Sequence, residues 1–208
     1  MSQPLIDSRA SRTRTHLRSI VLEGWKRDDG LWDIEARLID RKDHDYPLAS
    51  GLRAKGDAVH QMWVRVTIDA DFNIVDAQAS LEAVPYPGCE RIAPAYQAIV
   101  GMNLVRGFRR SVGEMFGTVA GCSHLTELLS SLPTAAIQTF ASEQRDTEPS
   151  GGEKPFQLDR CHALDTRGQV VRRYYPRWYR AADTEFDSAK SAGSATSPFD
   201  FSKSKEEA

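Results

Sequence analysis

The sequence contains no long apolar run, and none approaches the roughly 20 residues that a membrane-spanning helix needs. The N-terminal stretch MSQPLIDSRASRTRTH also lacks the apolar centre of a secretory signal. We therefore expect no membrane partner and a cytoplasmic location.

The sequence also has little excess charge, with a formal net charge of −2 at pH 7. Such a balance gives no electrostatic reason to bind a polyanion. The run RRYYPRWYR at 172–180 mixes basic and aromatic residues, which suits base stacking, but the sequence shows no matching basic face elsewhere. We therefore predict a small-molecule substrate and no nucleic acid, and an aromatic carboxylate or phenolate suits these Arg and Tyr side chains better.

Cysteine is scarce, and three residues cannot all pair in disulfides. We expect reduced thiols, which agrees with a cytoplasmic protein. Cys89, Cys122 and Cys161, with His124 and His162, could supply a tetrahedral sulfur and nitrogen set for zinc or iron. The short C-x₂-C spacing typical of zinc sites is absent, and free cysteines are often simply buried in the core.

Alternating apolar and polar residues predict an antiparallel meander of four strands. The strands begin at His16, cover 31–40 and 60–68, and return over 74–84, with a hairpin turn at Asp29-Gly30. In the second strand, Trp32, Ile34, Ala36 and Leu38 share one face, whereas Asp33, Glu35 and Arg37 share the other. The polar stretch 41–57 is predicted as a loop.

After the Pro-Tyr-Pro-Gly break at 85–88 the periodicity becomes helical. Three or four helices are predicted, the longest over 123–142, where Pro133 should end or kink the helix. The fold class is therefore α+β, closed by a C-terminal hairpin over 161–179. Residues 14–180 are predicted to form a single domain with a polar linker at about 143–155, between a loose N-terminus at 1–13 and a disordered tail at 181–208.

The segment GTVAGCSHLTELL at 117–129 is the first candidate site. Ser123 is predicted to cap the following helix, which places Cys122 beside the positive end of a helix dipole. A nucleophilic Cys122 would need a base and an oxyanion site, and the helix N-terminus could supply the oxyanion site.

Two histidines are candidates for proton transfer, because the imidazole pKa lies near 6.5. His60 opens a strand and shares the face of Met62 and Val64, so it could equally be a core residue. His124 lies at a helix start, where the dipole favours the neutral ring. Packing or capping is the alternative role for His124.

A further set of polar and aromatic residues is predicted to line a substrate pocket. Asp33 could work as an acid or base, with Trp63 and Arg65 on the same side of the sheet, although such a row is often only a solvated face. Tyr86 is predicted to orient the substrate. Aromatic residues, among them Tyr96 and Tyr175, could complete the pocket or form a small second core.

Several motifs resemble one bacterial family, the domain-of-unknown-function family DUF2889. They read EGWKRDDGLWDIEARLIDRK, HQMWVRVTIDADFNIVDAQA, PYPGC, GCSHLTELL and LDRCHALDTRGQVVRRYYPRWY, in this order over roughly residues 14 to 179. The resemblance implies a cytoplasmic protein from bacteria rich in aromatic and fatty-acid catabolism, and it implies no activity. The order of strands followed by Cys and Cys-x-His is also similar to that of iron–sulfur scaffold proteins, at different spacings.

These observations favour a cofactor-independent enzyme of small-molecule catabolism, most plausibly a lyase acting on an aromatic or phenolic compound. His60 and His124 would move protons, assisted by Tyr86 and Asp33. The alternative is a metal-binding or iron–sulfur accessory protein using the three cysteines, and a third reading is an adaptor without chemistry. A homodimer is possible, because aromatic residues are predicted on the outer face of the sheet.

Overall fold

The computed structural model describes residues 10–141, 154–155 and 157–181. The chain divides into two compact units, Met1–Arg145 and Asp146–Ala208, where the sequence predicts a single domain over 14–180. The predictions for residues 1–9 and for the tail from 182 onward lie outside the described residues, as does most of the predicted linker.

Within its described residues, the first unit contains six strands: β1 (His16–Lys26), β2 (Trp32–Lys42), β3 (Tyr46–Leu48), β4 (Gly51–Arg53), β5 (Ala58–Ile68) and β6 (Ile74–Ala83). The main sheet has the order β1-β2-β5-β6, and each neighbouring pair is antiparallel. This confirms the predicted four-stranded meander. The predicted loop at 41–57 instead contains the small hairpin of β3 and β4.

One face of the sheet is buried because apolar residues occupy every second position of β2 and β5. Ile34 and Leu38 of β2 and Val64 and Val66 of β5 are fully buried. The buried row of β2 ends at Asp40, which is only 3% exposed. The core of the domain therefore ends in a carboxylate, at the end of the sheet where β2 meets the start of β5.

Helices cover this buried face. A 3₁₀ segment spans Cys89–Ile99 and is followed by α1 (Phe108–Phe116), a short 3₁₀ turn (Thr118–Ala120) and α2 (Ser123–Ala141). Leu125, Leu128, Leu129 and Leu132 of α2 are completely buried in the core. Pro133 does not end α2, since the helix continues to Ala141 with Pro133 itself buried. Burial of the apolar face offsets the backbone hydrogen bond that proline cannot make.

The prediction of a C-terminal hairpin over 161–179 is wrong. In the second unit the described residues form a 3₁₀ turn (His162–Leu164), the short helix α3 (Gln169–Tyr174) and another 3₁₀ turn (Pro176–Trp178). Local hydrogen bonds explain the difference, since the N–H of Tyr175 donates to the carbonyl of Val171 at 2.8 Å. Six residues are too few for periodicity to distinguish a strand from one and a half helical turns.

Across the described ranges, no helix combines the length and the apolar character needed to cross a membrane.

Candidate functional site

The buried carboxylate of Asp40 is held by side chains of two neighbouring strands. Its Oδ1 accepts hydrogen bonds from His16 Nε2 at 2.9 Å and Arg18 Nε at 2.8 Å. Its Oδ2 accepts from a second Arg18 nitrogen at 2.8 Å and from His60 Nδ1 at 3.1 Å. The register explains this meeting, because Asp40 pairs with Arg18 on β1 and with His60 on β5.

Asp40 is ionised in this setting. Burial disfavours the charged carboxylate, but the hydrogen bonds from Arg18 and His16 outweigh it and hold the pKa of Asp40 well below its ordinary value. An ionised carboxylate can only accept hydrogen bonds. The ring nitrogens that face Asp40 must therefore carry the protons.

His60 and His124 stack beside this carboxylate, with ring centroids 3.9 Å apart. The Nε2 atom of His124 lies 3.6 Å from Asp40 Oδ2. Burial lowers the pKa of His60 even though Asp40 opposes that change. Burial, with smaller contributions from His60 and Arg18, lowers the pKa of His124 to about 4. Both rings are therefore predominantly neutral at pH 7.

The tautomer of His60 follows from the charge of Asp40. Because Nδ1 donates to the carboxylate, the neutral ring has its free electron pair on Nε2. Within the described ranges, Nε2 of His60 has no hydrogen-bond partner. A proton acceptor backed by a buried carboxylate is the arrangement that general base catalysis uses.

Cys122 lies next to His124 at the start of α2. The N–H of Thr126 donates to the carbonyl of Cys122 at 2.9 Å, which is the bond that the N-cap residue of a helix accepts. Cys122 is thus the cap, and Ser123, the predicted cap, is the first residue of the helix. The thiol Sγ lies 3.9 Å from His124 Nδ1 and 3.9 Å from the sulfur of Met62.

Tyr96 fixes the backbone at Cys122. Its side chain is 1% exposed and stacks on Phe116 at 4.3 Å. Its hydroxyl accepts the N–H of Cys122 at 2.8 Å and lies 3.0 Å from the Cys122 carbonyl, to which it can donate. Burial raises the pKa of Tyr96. The structure supports a positioning role for Tyr96 in place of the predicted substrate contact.

His60, His124 and Cys122 open onto one cavity of about 390 Å³. Its wall is mainly apolar and contains two thiols. The lining residues are His60, Met62, Pro85, Gly88, Cys89, Ile92, Val119, Gly121, Cys122, Ser123 and His124. The volume lies within the range of small-molecule pockets.

Three predicted site residues lie on the outer face of the sheet, on the opposite side from His60. Asp33, Trp63 and Arg65 occupy positions that alternate with the buried row, so they lie on the face opposite His60. Asp33 accepts a hydrogen bond from Thr67 at 2.7 Å, and Arg65 donates to Glu35 at 2.7 Å. The structure therefore does not bring Asp33 together with the two predicted catalytic histidines.

The remaining predicted residues have separate positions. Tyr86 is 49% exposed in the turn before the 3₁₀ segment, and its carbonyl accepts a hydrogen bond from the N–H of Cys89 at 3.3 Å. Tyr175 and Cys161 belong to the second unit, where Cys161 is exposed.

The predicted cysteine metal set is not assembled within the first unit. Cys89 and Cys122 both line the cavity. Among the described residues, the group of three metal-ligand side chains within 4.8 Å of one another consists of Asp40, His60 and His124, with no cysteine.

Sequence reasoning missed three members of the cluster, namely His16, Arg18 and Asp40. One signal was available, because Asp40 continues the buried row of Ile34, Ala36 and Leu38. A carboxylate at a core position requires partners, and that requirement marks it as a candidate.

The fold and the site define an α+β domain whose antiparallel sheet carries a buried aspartate and two stacked histidines beside a cavity. The sequence profile of a family described as "Protein of unknown function (DUF2889)" matches residues 16–138, and the chain belongs to this family. The matched span includes every residue of the cluster from His16 to His124. No curated protein and no solved structure matches the chain.

Proposed function

We propose that this domain is a cofactor-independent enzyme of cytoplasmic small-molecule catabolism, a lyase that acts on an aromatic or phenolic compound by proton transfer. The observation that carries the proposal is the stacked pair His60 and His124, held against the ionised carboxylate of Asp40 at the wall of a cavity. A buried carboxylate beside neutral imidazoles is an arrangement that can transfer protons.

His60 is the proposed base. Its Nε2 accepts a proton from a carbon atom adjacent to the bond that breaks, and Asp40 stabilises the imidazolium that forms. His124, whose ring is in contact with His60, is the proposed acid: it receives the proton that His60 has removed from the substrate and delivers it to the leaving group. A ring that is neutral at pH 7 is ready to accept a proton, and the lowered pKa of both rings supports this starting state.

The cavity supports a substrate with one aromatic ring. Met62, Pro85 and Ile92 provide an apolar wall, and the thioether of methionine packs favourably against aromatic rings. A volume of about 390 Å³ accommodates a single substituted ring with space for a short side chain. The three unpaired cysteines agree with the proposed cytoplasmic location.

His60→Gln and His124→Gln test the proposal. A panel of phenolic compounds with a leaving group next to an acidic C–H is screened, and we expect each variant to lower kcat for any compound turned over by about 100-fold. His44→Gln is the matched control, because His44 is exposed, is not among the residues that line the cavity and packs its ring against that of Tyr46. Wild-type turnover should fall at a pH below the ordinary imidazole value of about 6.5, because burial lowers the pKa of His60 and protonation there removes the base. Equal kcat values in wild type, His60→Gln and His124→Gln would contradict the assigned roles.

A metal centre is the second candidate, because Asp40, His60 and His124 could hold a zinc or iron ion. The four acceptor positions of the Asp40 carboxylate are already occupied by His16, Arg18 and His60. A metal would have to displace one of these donors, so the geometry favours proton transfer. Elemental analysis of protein purified without chelator decides between them: about one bound ion per chain, lost in His124→Gln, would establish the metal centre.

A further inference from the structure

Three side chains form a row from the cavity into the core. The Sγ atom of Cys122 lies 3.9 Å from Nδ1 of His124. The other ring nitrogen of His124, Nε2, lies 3.6 Å from Oδ2 of Asp40. A nucleophile, a base and a carboxylate that orients the base follow one another in this row, at the loose distances usual before substrate binds.

The charge of Asp40 again sets the tautomer. An ionised carboxylate favours the ring proton on the nitrogen that faces it, so Nε2 of His124 carries the hydrogen. The electron pair of Nδ1 then points towards the thiol of Cys122. His124 is therefore a base for the thiol proton, the component that the sequence alone left unsupplied.

Nucleophilic catalysis also requires an oxyanion site, and the start of α2 supplies one. Cys122 caps α2, a helix of 19 residues. The backbone N–H groups of Ser123, His124 and Leu125 have no acceptor in the part of the chain that the structure describes. Free N–H groups beside a nucleophile stabilise the oxyanion of a tetrahedral intermediate.

We propose that Cys122 is a nucleophile that accepts an acyl group from an ester or thioester bound in the cavity, with His124 as its base. This inference goes beyond the proposed lyase activity and does not rest on it, because the reaction begins at Sγ of Cys122 and not at the ring of His60.

The reaction balances without a further cofactor. The thiol proton moves to Nδ1 of His124, and the sulfur forms a bond to the carbonyl carbon, whose oxygen takes the negative charge at the start of α2. The intermediate then expels the alkoxide or thiolate, which takes the proton from His124. Water attacks the resulting thioester and gives its proton to His124, the acid leaves, and Cys122 recovers the proton. The sum is an ester or thioester and water converted to an acid and the corresponding alcohol or thiol.

The other two cysteines provide internal controls. Cys89 lines the same cavity, but its thiol has no hydrogen-bond partner within the described ranges. Cys161 is exposed in the second unit, and its thiol likewise has none. Accessibility alone would make Cys161 the most reactive of the three, whereas activation by His124 would favour Cys122.

The test exposes the full chain to p-nitrophenyl acetate and follows p-nitrophenolate release, with peptide mapping by mass spectrometry. We expect an early burst approaching one equivalent per chain and the acetyl group on Cys122. Cys122→Ser should abolish the burst, while Cys161→Ser should retain it. His124→Gln should slow acetylation of Cys122 by about tenfold or more.

Equal acetylation of the three cysteines, or preferential labelling of Cys161, would overturn the inference. The mapping of the wild-type chain gives this result even if a variant fails to fold. The lyase proposal is judged separately by turnover in His60→Gln, so the two proposals can fail independently.

Discussion

Asp40→Asn is expected to lower the free energy of unfolding by about 3 kcal/mol at pH 7. The substitution replaces a carboxylate that is 3% exposed with a neutral amide. Arg18, which donates to both oxygens, would then face an amide that also presents N–H groups. Arg18 is partly exposed and also contacts Glu127 at 2.6 Å, so the loss stays below that for a fully buried pair. Urea unfolding of wild type and variant measures this difference in the free energy of unfolding.

The pH dependence of this effect has a definite sign. The pKa of Asp40 is lowered in the folded state, so its stabilising contribution is fully present above the ordinary value of about 3.9 and is lost as the pH falls towards the lower folded value. The difference between wild type and Asp40→Asn should therefore be largest at neutral pH and should shrink between pH 4 and pH 2.

Asp43→Asn is the matched control, because Asp43 pairs with Arg14 near the same end of β2 but on the exposed surface. Its effect on the free energy of unfolding should be much smaller than that of Asp40→Asn. If the two variants lost the same stability, the buried cluster would have no special energetic role.

Gly121→Ala is expected to destabilise the domain by about 2 kcal/mol or more. A Cβ atom at this position would lie 2.6 Å from both the Cβ and the carbonyl oxygen of Phe116, and 2.9 Å from the hydroxyl of Tyr96. The backbone at Gly121 is extended, with φ of −148°, so the cost comes from these contacts alone. Because the Tyr96 hydroxyl holds Cys122, relief of the clash should also slow acetylation of Cys122.

Gly113→Ala is the control for Gly121→Ala. Gly113 is exposed within α1, and a Cβ atom there meets nothing within 4 Å. Alanine should raise the free energy of unfolding by about 0.5–1 kcal/mol, because it restricts the unfolded chain and favours helix. Urea unfolding should thus move the two variants in opposite directions. Unchanged or increased stability of Gly121→Ala would mean that the loop at Gly121 relaxes around the added Cβ atom and that these contacts are not limiting.

The sheet was predictable because strand periodicity is a local property. Ile34, Ala36 and Leu38 alternate with charged residues, and this pattern alone specifies which face is buried. The same alternation puts Asp33 on the face opposite His60, and grouping the two in one site overlooked that geometry. Periodicity was less informative in the second unit, where a short segment formed a helix.

The site was only partly predictable because its members come from distant parts of the chain. His60 and His124 could be chosen by their chemistry, and Cys122 by its place before a helix. Their partner Asp40 is selected by strand register, which joins residues twenty or more positions apart on β1, β2 and β5. Register depends on pairing that a single sequence does not specify.

Most of the hydrogen bonds to Asp40 come from an edge strand, since among the described strands β1 pairs with β2 alone. His16 and Arg18 lie at the beginning of β1, where fraying of an edge strand costs least. Each fraying event removes three of the four hydrogen bonds to the carboxylate, and it also breaks the bridge from Arg18 to Glu127 of α2. The charge balance around Asp40 is therefore coupled to local opening of the outermost strand, and amide hydrogen exchange in β1 reports how often the carboxylate loses Arg18, its counter-ion.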